Sequence, residues 1–217
     1  MFTNRKEGGR RLASALLHYR QKPNTIVIGL PRGGVVTAAE VAEALDLPLD
    51  VLVIRKLGTP GQEELAMGAV GPGGARVLNL DVVRSLHVSM NAIEEETRRE
   101  QKELDRREHL FRGEHPPINF TGKTVILVDD GLATGSTMEA AIAVVRRRDA
   151  ARVVLAVPVA PDDTCRRLEN QVDELVCLET PEPFMAVGCW YEDFAQVEDD
   201  EVTRILQAHT SASAVTA

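Results

Sequence analysis

Val125-Ile-Leu-Val-Asp-Asp-Gly-Leu-Ala-Thr-Gly-Ser-Thr137 is the stretch whose reading decides how this chain folds and where it works. Its first four residues are apolar throughout, the pattern of a strand buried on both faces of a sheet. Two adjacent carboxylates, Asp129 and Asp130, follow at the strand's carboxyl end, where open α/β sheets gather their ligands. A run rich in Gly, Ser and Thr then leads into a helix predicted over 137–147. Such a turn aims backbone N–H groups and hydroxyls at one spot, and the helix dipole adds positive potential there. Gly131, Ala133, Thr134, Gly135, Ser136 and Thr137 therefore form a candidate anion cradle beside a pair of acids. A phosphate suits the cradle; sugar hydroxyls or a divalent metal suit the acids. Taken singly, paired acids also fit a receiver domain, and the turn fits a simple helix cap. A Walker A loop is excluded, because no Lys follows the glycine. Joined in this order, the two pieces are far more specific.

The same alternation extends in both directions. Residues 25–30 and 51–54 read as buried strands, with a helix over 35–45 between them that closes before Pro48. A helix is predicted over 10–20. Glycines at 58, 61, 68, 71, 73 and 74, with prolines at 60 and 72, mark 58–76 as loop or hairpin. Downstream of the 137–147 helix come a strand at 153–157, a helix at 162–170, a short strand at 174–178 and a closing helix over 201–209. The small-residue tail 211–217 reads as frayed. Residues 94–112 differ in kind, with 13 charged residues in 19. Glu94/Arg98, Glu95/Arg99, Glu103/Arg107 and Glu108/Arg112 fall at i,i+4 spacing, while Met90, Ile93, Thr97, Leu104 and Phe111 make a thin apolar seam. This is a long helical excursion between about 88 and 113, set apart by the Pro116-Pro117 break. It lies solvated on the domain or serves a helix-pair or homodimer contact. Apolar strands separated by helices mean a mainly parallel sheet covered on both faces.

Composition narrows the function classes. The 217 residues are 44% hydrophobic and 27% charged, those of one ordinary globular domain. A chain this long buries about 70% of its unfolded surface and needs no disulfide or structural metal. A net charge of −8 argues against a nucleic-acid partner, though a small basic phosphate site can survive on an acidic protein. Cys165, Cys177 and Cys189 lack metal-knuckle spacing and read as reduced thiols. The five histidines show no ligand pattern. No apolar run approaches the ~20 residues of a membrane span. A soluble, cytoplasmic protein is expected.

Residues 125–137 resemble the phosphoribosyl pyrophosphate (PRPP) motif of type I phosphoribosyltransferases, and the Ala133-to-Thr137 ending is most similar to the adenine enzymes. Two positions depart from the pattern. Gly131 replaces an apolar residue, and Ala133 stands where hypoxanthine-guanine enzymes carry an Asp used as a base. Ile28-Gly-Leu-Pro-Arg-Gly-Gly34 resembles the family's pyrophosphate loop, with Pro31, Gly33 and Gly34 offering close backbone approach and Arg32 a bidentate grip. Arg55-Lys56, at the end of the second strand, is similar to the pair that opens a mobile loop in the orotate enzymes, so 57–64 is read as a lid. The whole chain resembles stand-alone phosphoribosyltransferase-like proteins, as far as the stretch 184–194. Phe184, Trp190, Tyr191 and Phe194 there supply four of the eight aromatics. They form either the hood that covers the acceptor, by stacking on Trp190 and Tyr191, or a packing cluster.

The resemblance implies a type I phosphoribosyltransferase fold over 1–217, with a core at about 20–180 and a C-terminal hood at about 181–206. It implies transfer of a 5-phosphoribosyl group from PRPP to a small nitrogenous acceptor, with magnesium as cofactor. Asp129 and Asp130 would hold the ribose hydroxyls and, directly or through water, the metal. The 134–137 loop would hold the 5-phosphate, and Arg32, Arg55 and Lys56 the leaving diphosphate. Two other readings stay open: a PRPP- or nucleotide-sensing regulator without turnover, and a kinase that makes PRPP. The kinase needs two such domains, which one motif in 217 residues does not supply.

Overall fold

The computed structural model of the chain describes residues 1–113 and 119–215; the Pro116-Pro117 break and the last two residues of the tail lie outside them. Five strands form one sheet in the order β2-β1-β6-β7-β8, every neighbour parallel. They are β1 (Thr25–Gly29), β2 (Leu49–Val51), β6 (Thr124–Val128), β7 (Arg152–Val159) and β8 (Glu174–Glu179). The apolar run of each central strand divides by alternation between the two faces. Val27, Ile126, Val128, Val154 and Ala156 point to one side. There they meet α1 (Arg5–Ala15), α2 (Gly33–Leu45), α4 (Met90–Arg112) and α7 (Asp199–Val215) through Leu12, Val41, Ile93 and Val202. Ile26, Ile28, Val125, Leu127, Val153 and Leu155 point to the other, under Met138 and Ile142 of α5 (Ser136–Arg147) and Leu168 of α6 (Asp162–Glu169). The sheet is thus dry on both faces, as uninterrupted apolar strands require. Among the described residues, no helix is long and apolar enough to cross a membrane.

The glycine-rich segment takes the hairpin reading, not the loop. β3 (Arg55–Thr59), β4 (Gln62–Gly71) and β5 (Ala75–Leu78) make a second, antiparallel sheet. The first hairpin turns at Pro60-Gly61, so the stretch read as a lid is this hairpin. Arg55 and Lys56 do not end the second strand either. That strand stops at Val51, and the pair begins β3, opposite Val70 and Ala69. A short helix, α3 (Leu80–Ser85), leads from β5 to α4.

Both ends of α1, which spans Arg5–Ala15 and not 10–20, and the far end of α7 differ from the expected ones. α1 begins at Arg5 because the Asn4 side chain accepts from the Glu7 N–H and caps it there. α7 runs on to Val215, through most of the tail read as frayed. On α4, Ile93, Leu104 and Phe111 are buried as the seam predicts, but Met90 is 57% exposed. Of the anticipated pairs, Glu103–Arg107 and Glu108–Arg112 form, while Arg99 turns to Glu96 and Glu100 instead of Glu95. Arg112 is buried against Asp50 and donates to the Val51 carbonyl, tying the end of α4 to the edge strand β2.

α1 and α2 pack closely through Gly9, where an added Cβ would come within 2.5 Å of the Thr37 carbonyl and 2.7 Å of the Glu40 Cβ. In an exposed helix Gly→Ala gains about 1 kcal/mol. Here overpacking reverses the sign, and Gly9→Ala should lose about 2 kcal/mol net, a melting temperature roughly 4–8 °C lower. Thermal denaturation checks it; a variant at least as stable as wild type would mean that the two helices stand farther apart.

Candidate active site

β1 and β6 lie side by side in register, Gly29 opposite Val128, so the loops beyond them emerge together. The first carries Pro31 and Arg32, joined by a cis peptide, and opens α2 at Gly33. The second carries Asp129 and Asp130. A Cβ on Gly33 would overlap Asp130 Oδ2, and one on Gly34 would come within 2.7 Å of Asp129 Oδ1. The two glycines read as anion-approach residues therefore seat the N-terminus of α2 directly on the acid pair.

Both acids are partly buried. The Asp130 N–H donates to Asp129 Oδ1 at 2.9 Å. Burial, and then the neighbouring Asp130 charge, push the Asp129 carboxyl well above the usual carboxylate range. Asp130 Oδ2 accepts from Arg5 Nε at 2.6 Å, and its backbone carbonyl accepts from the Tyr191 hydroxyl. Arg5 had no sequence signal, since the contact joins residues 125 apart.

Beyond the acids the loop is pinned from outside. Leu132 N–H donates to the Val159 carbonyl at 2.9 Å. Gly131 fits under Val187, whose Cγ1 would lie 2.5 Å from an added Cβ. This explains the missing apolar residue at 131: another side chain already fills its space. Thr164 Oγ1 donates to the Ala133 carbonyl at 2.9 Å, and Arg167 donates to that of Thr134. Gly135 takes a left-handed φ of 67° at the cap of α5 and brings no side chain to the helix's first N–H groups. That terminus is open to an anion, flanked by the Thr134 and Ser136 hydroxyls, 3.1 Å apart, and by Thr137.

The cations fall into two groups. Lys56 Nζ donates to Ser136 Oγ at 2.6 Å. Arg55 pairs with Glu100 of α4 at 2.7 Å. Both line a cavity of about 410 Å³ with Arg99, Glu96 and Thr137. Arg32 stands apart, 3.7 Å from Glu198 and 3.9 Å from Asp199 at the start of α7. The structure thus joins Asp129, Asp130, Gly33 and Gly34 in one contact, and Lys56 with the 134–137 turn in another. Glu100 was missed although it carried a signal, being the charged residue in phase with Ile93, Thr97 and Leu104 on the α4 seam.

Of the two readings of the aromatic segment, hood or packing cluster, Tyr191 takes the second. This ring is buried, with Phe2 and Phe194 at centroid distances of 5.4 and 5.0 Å, so it presents no free face for an acceptor. Burial also pushes its hydroxyl pKa up, which keeps it a neutral donor. Trp190 packs on the same cluster as Phe184 and Phe194, and its carbonyl accepts from the Phe2 N–H at 2.8 Å.

Paired acids at the end of a central parallel strand, seated on one glycine loop and facing a second, anion-ready turn, belong to the type I phosphoribosyltransferase fold. Residues 2–193 match the phosphoribosyl transferase domain, and the chain belongs to that family. A Mycobacterium tuberculosis H37Rv protein, provisionally named a phosphoribosyl transferase, is 50% identical over 210 residues, 96% of this chain and 47% of that protein. The chain thus spans about half the length of the curated relatives it matches. The crystal structure of TT1426 from Thermus thermophilus is 43% identical with a TM-score of 0.87, covering 95% of this chain and 98% of that one. The AQ2163 protein of Aquifex aeolicus is 13% identical with a TM-score of 0.50, over 94% and 85% of the two chains, a likeness of fold alone.

The seating of α2 on the acids is directly testable. Gly33→Ala should cost at least ~2 kcal/mol through overpacking. In an Asp130→Ala background, where the obstructing carboxylate is gone, that cost should fall by half or more, a coupling that denaturant titration of the four proteins reads. Additive losses would show that the two positions do not touch.

Proposed function

We propose that this chain moves a 5-phosphoribosyl group from PRPP to a nitrogen of a small nucleobase-like acceptor. The bond from C1 of the ribose to the diphosphate oxygen breaks, the C1–N bond forms, and pyrophosphate leaves. One observation carries the reading: the acid pair stands between a helix N-terminus with no side-chain cap and a loop bearing a cation. The open end of α5, with Thr134, Ser136 and Thr137, suits a 5-phosphate monoester. Asp129 and Asp130 suit the two ribose hydroxyls and the positive charge that grows on the sugar in an oxocarbenium-like transition state. Arg32, Arg55 and Lys56 are the cations for the leaving diphosphate. In the free protein they rest on Glu198 and Asp199, on Glu100 and on Ser136, and they exchange these partners for phosphate oxygens.

Magnesium fits this donor set in one way. Among the described residues no group of three or more His, Cys, Asp or Glu could hold an ion. Two carboxylates are a partial set, completed by diphosphate oxygens and water, which is how Mg²⁺ prefers to bind. Held there by Asp129 and Asp130, the ion would screen negative charge on the leaving group. The open end of α5, which serves binding whether or not turnover follows, also supports a second reading, a PRPP- or nucleotide-sensing protein that binds without turnover.

Calorimetry with PRPP is the test. Binding should be strong with magnesium and weak with a chelator, and equal affinity in both would remove the metal role. Arg32→Ala should weaken pyrophosphate binding by about 2 kcal/mol, a charge-assisted contact, and leave ribose 5-phosphate unaffected. Asp129→Asn/Asp130→Asn should stay folded and melt about 3–6 °C lower for its weakened Arg5 pair. Its turnover with any acceptor should fall at least ~100-fold, near 2.7 kcal/mol of transition-state stabilisation. Tight PRPP binding with no acceptor ever supporting turnover would select the sensing reading.

A further inference from the structure

We infer that Arg5 is a positioning residue for Asp130, holding its carboxylate in the one orientation that a ribose hydroxyl can use; the inference rests on the phosphoribosyl reading of the site. Arg5 sits in the first turn of α1, and its side chain is 11% exposed against 14% for Asp130. Two parts of the chain hold the guanidinium by three contacts. Nε donates to Asp130 Oδ2 at 2.6 Å, Nη1 donates to the Ala195 carbonyl at 2.8 Å, and Cζ lies 3.7 Å from the centre of the neighbouring Phe194 ring. An arginine serving only to neutralise charge needs none of this fixing, because a mobile cation screens as well.

The surroundings select a single oxygen. A Cβ on Gly33 would strike Asp130 Oδ2 and lie 2.8 Å from Arg5 Nε, so guanidinium, Oδ2 and the first residue of α2 occupy one spot. A carboxylate is planar. Once Oδ2 is pinned and the backbone carbonyl of the same residue is held by the Tyr191 hydroxyl, the direction of Oδ1 is set as well. Tyr191 is stacked at 5.0 Å on Phe194, the ring that carries the guanidinium, so both grips on Asp130 trace to one aromatic cluster. The segment read as either a hood for the acceptor or a packing cluster is thereby the mount of an acid. Orientation of this kind is what separates a ligand contact from a site about 1 Å too loose to use it.

Arg5→Ala, Arg5→Lys and wild type are compared by calorimetry with magnesium–PRPP and with inorganic phosphate, which reports the untouched 134–137 turn. Arg5→Ala should lose at least ~20-fold in PRPP affinity and less than ~2-fold for phosphate, the size of one charge-assisted contact. Arg5→Lys keeps the charge without the planar fork and should recover only part of the loss. Methylguanidinium at about 20 mM, far below denaturing concentrations, should restore PRPP affinity to Arg5→Ala and leave Asp130→Asn unchanged. A merely structural arginine gives no such rescue. PRPP affinity at the wild-type level in Arg5→Ala overturns the inference, as does parallel loss of both ligands. Should Arg5→Ala fail to fold, wild-type affinity in Arg5→Lys overturns it too. Wild type that binds phosphate but not PRPP overturns the phosphoribosyl reading and this inference together; an effect confined to the Arg5 variants separates the two.

Discussion

The contact between a helix that begins with two glycines and a strand that ends with two acids sets the rest of the molecule. β1 and β6 run parallel and in register, so Gly33-Gly34 and Asp129-Asp130 emerge at the same level with no room for a side chain between them. The closeness has an electrostatic consequence. Two adjacent, partly buried carboxylates repel each other and lose hydration, a cost that a helix N-terminus offsets. α2 supplies one and Arg5 supplies a full charge. The positive end of α2 thus lies against the protein's own anions, whereas that of α5, begun by a glycine, remains for an anion from outside. Two similar glycine turns on one sheet edge thus have different tasks, decided by whether the neighbouring strand ends in acids.

The first residues of the chain and the 190–195 segment converge on this edge. Phe2 pairs along the 190–192 backbone, donating to the Trp190 carbonyl and accepting from Glu192, while the Asp193 N–H donates to the Thr3 carbonyl. This places Phe2 on Tyr191 and Arg5 on Phe194. Aromatic rings packed at 5.0–5.4 Å, one pair stacked and one tilted, gain more than their area alone would give. The cluster fixes both what holds the Asp130 side chain and what holds its backbone.

Most of the parallel sheet was legible because burial on both faces leaves a strand no polar positions, and runs such as 125–128 admit little else. The second sheet was legible only as one of two readings, loop or hairpin. Gly68 shows why its strands were not placed: there β4 lies so close to β5 that a Cβ would overlap the Val77 carbonyl. Glycine that ends a strand and glycine that lets two strands approach look alike in one sequence. The acid pair and the 134–137 turn were legible as a local pattern of strand, loop and helix. Arg5 was not, because one arginine among those near the N-terminus is distinguished only by a partner 125 residues away. The aromatic segment was found but its purpose stayed open between hood and packing cluster, since composition says that rings gather and not which faces remain free.

The charged excursion shows how a surface helix acquires a role in the site. Most of the acids and bases of α4 face outward, where an ion pair contributes only ~0–1 kcal/mol. Glu96 and Glu100 face inward instead. Glu96 accepts from the Gly58 N–H at 3.3 Å and Glu100 holds Arg55, both on the hairpin strand β3. At 32% and 11% exposure, the Arg55–Glu100 pair is too wet to contribute much stability. Its effect is on direction. With Arg55 held against α4, β3 carries Lys56 over the N-terminus of α5, and Arg99 closes the cavity from the third side. The hairpin strands are also anchored through their own buried residues Leu57, Met67 and Val70. The glutamates of α4 add the polar contacts that set where Arg55 points, which is why a helix of such even charge carries an apolar seam with a glutamate in the middle.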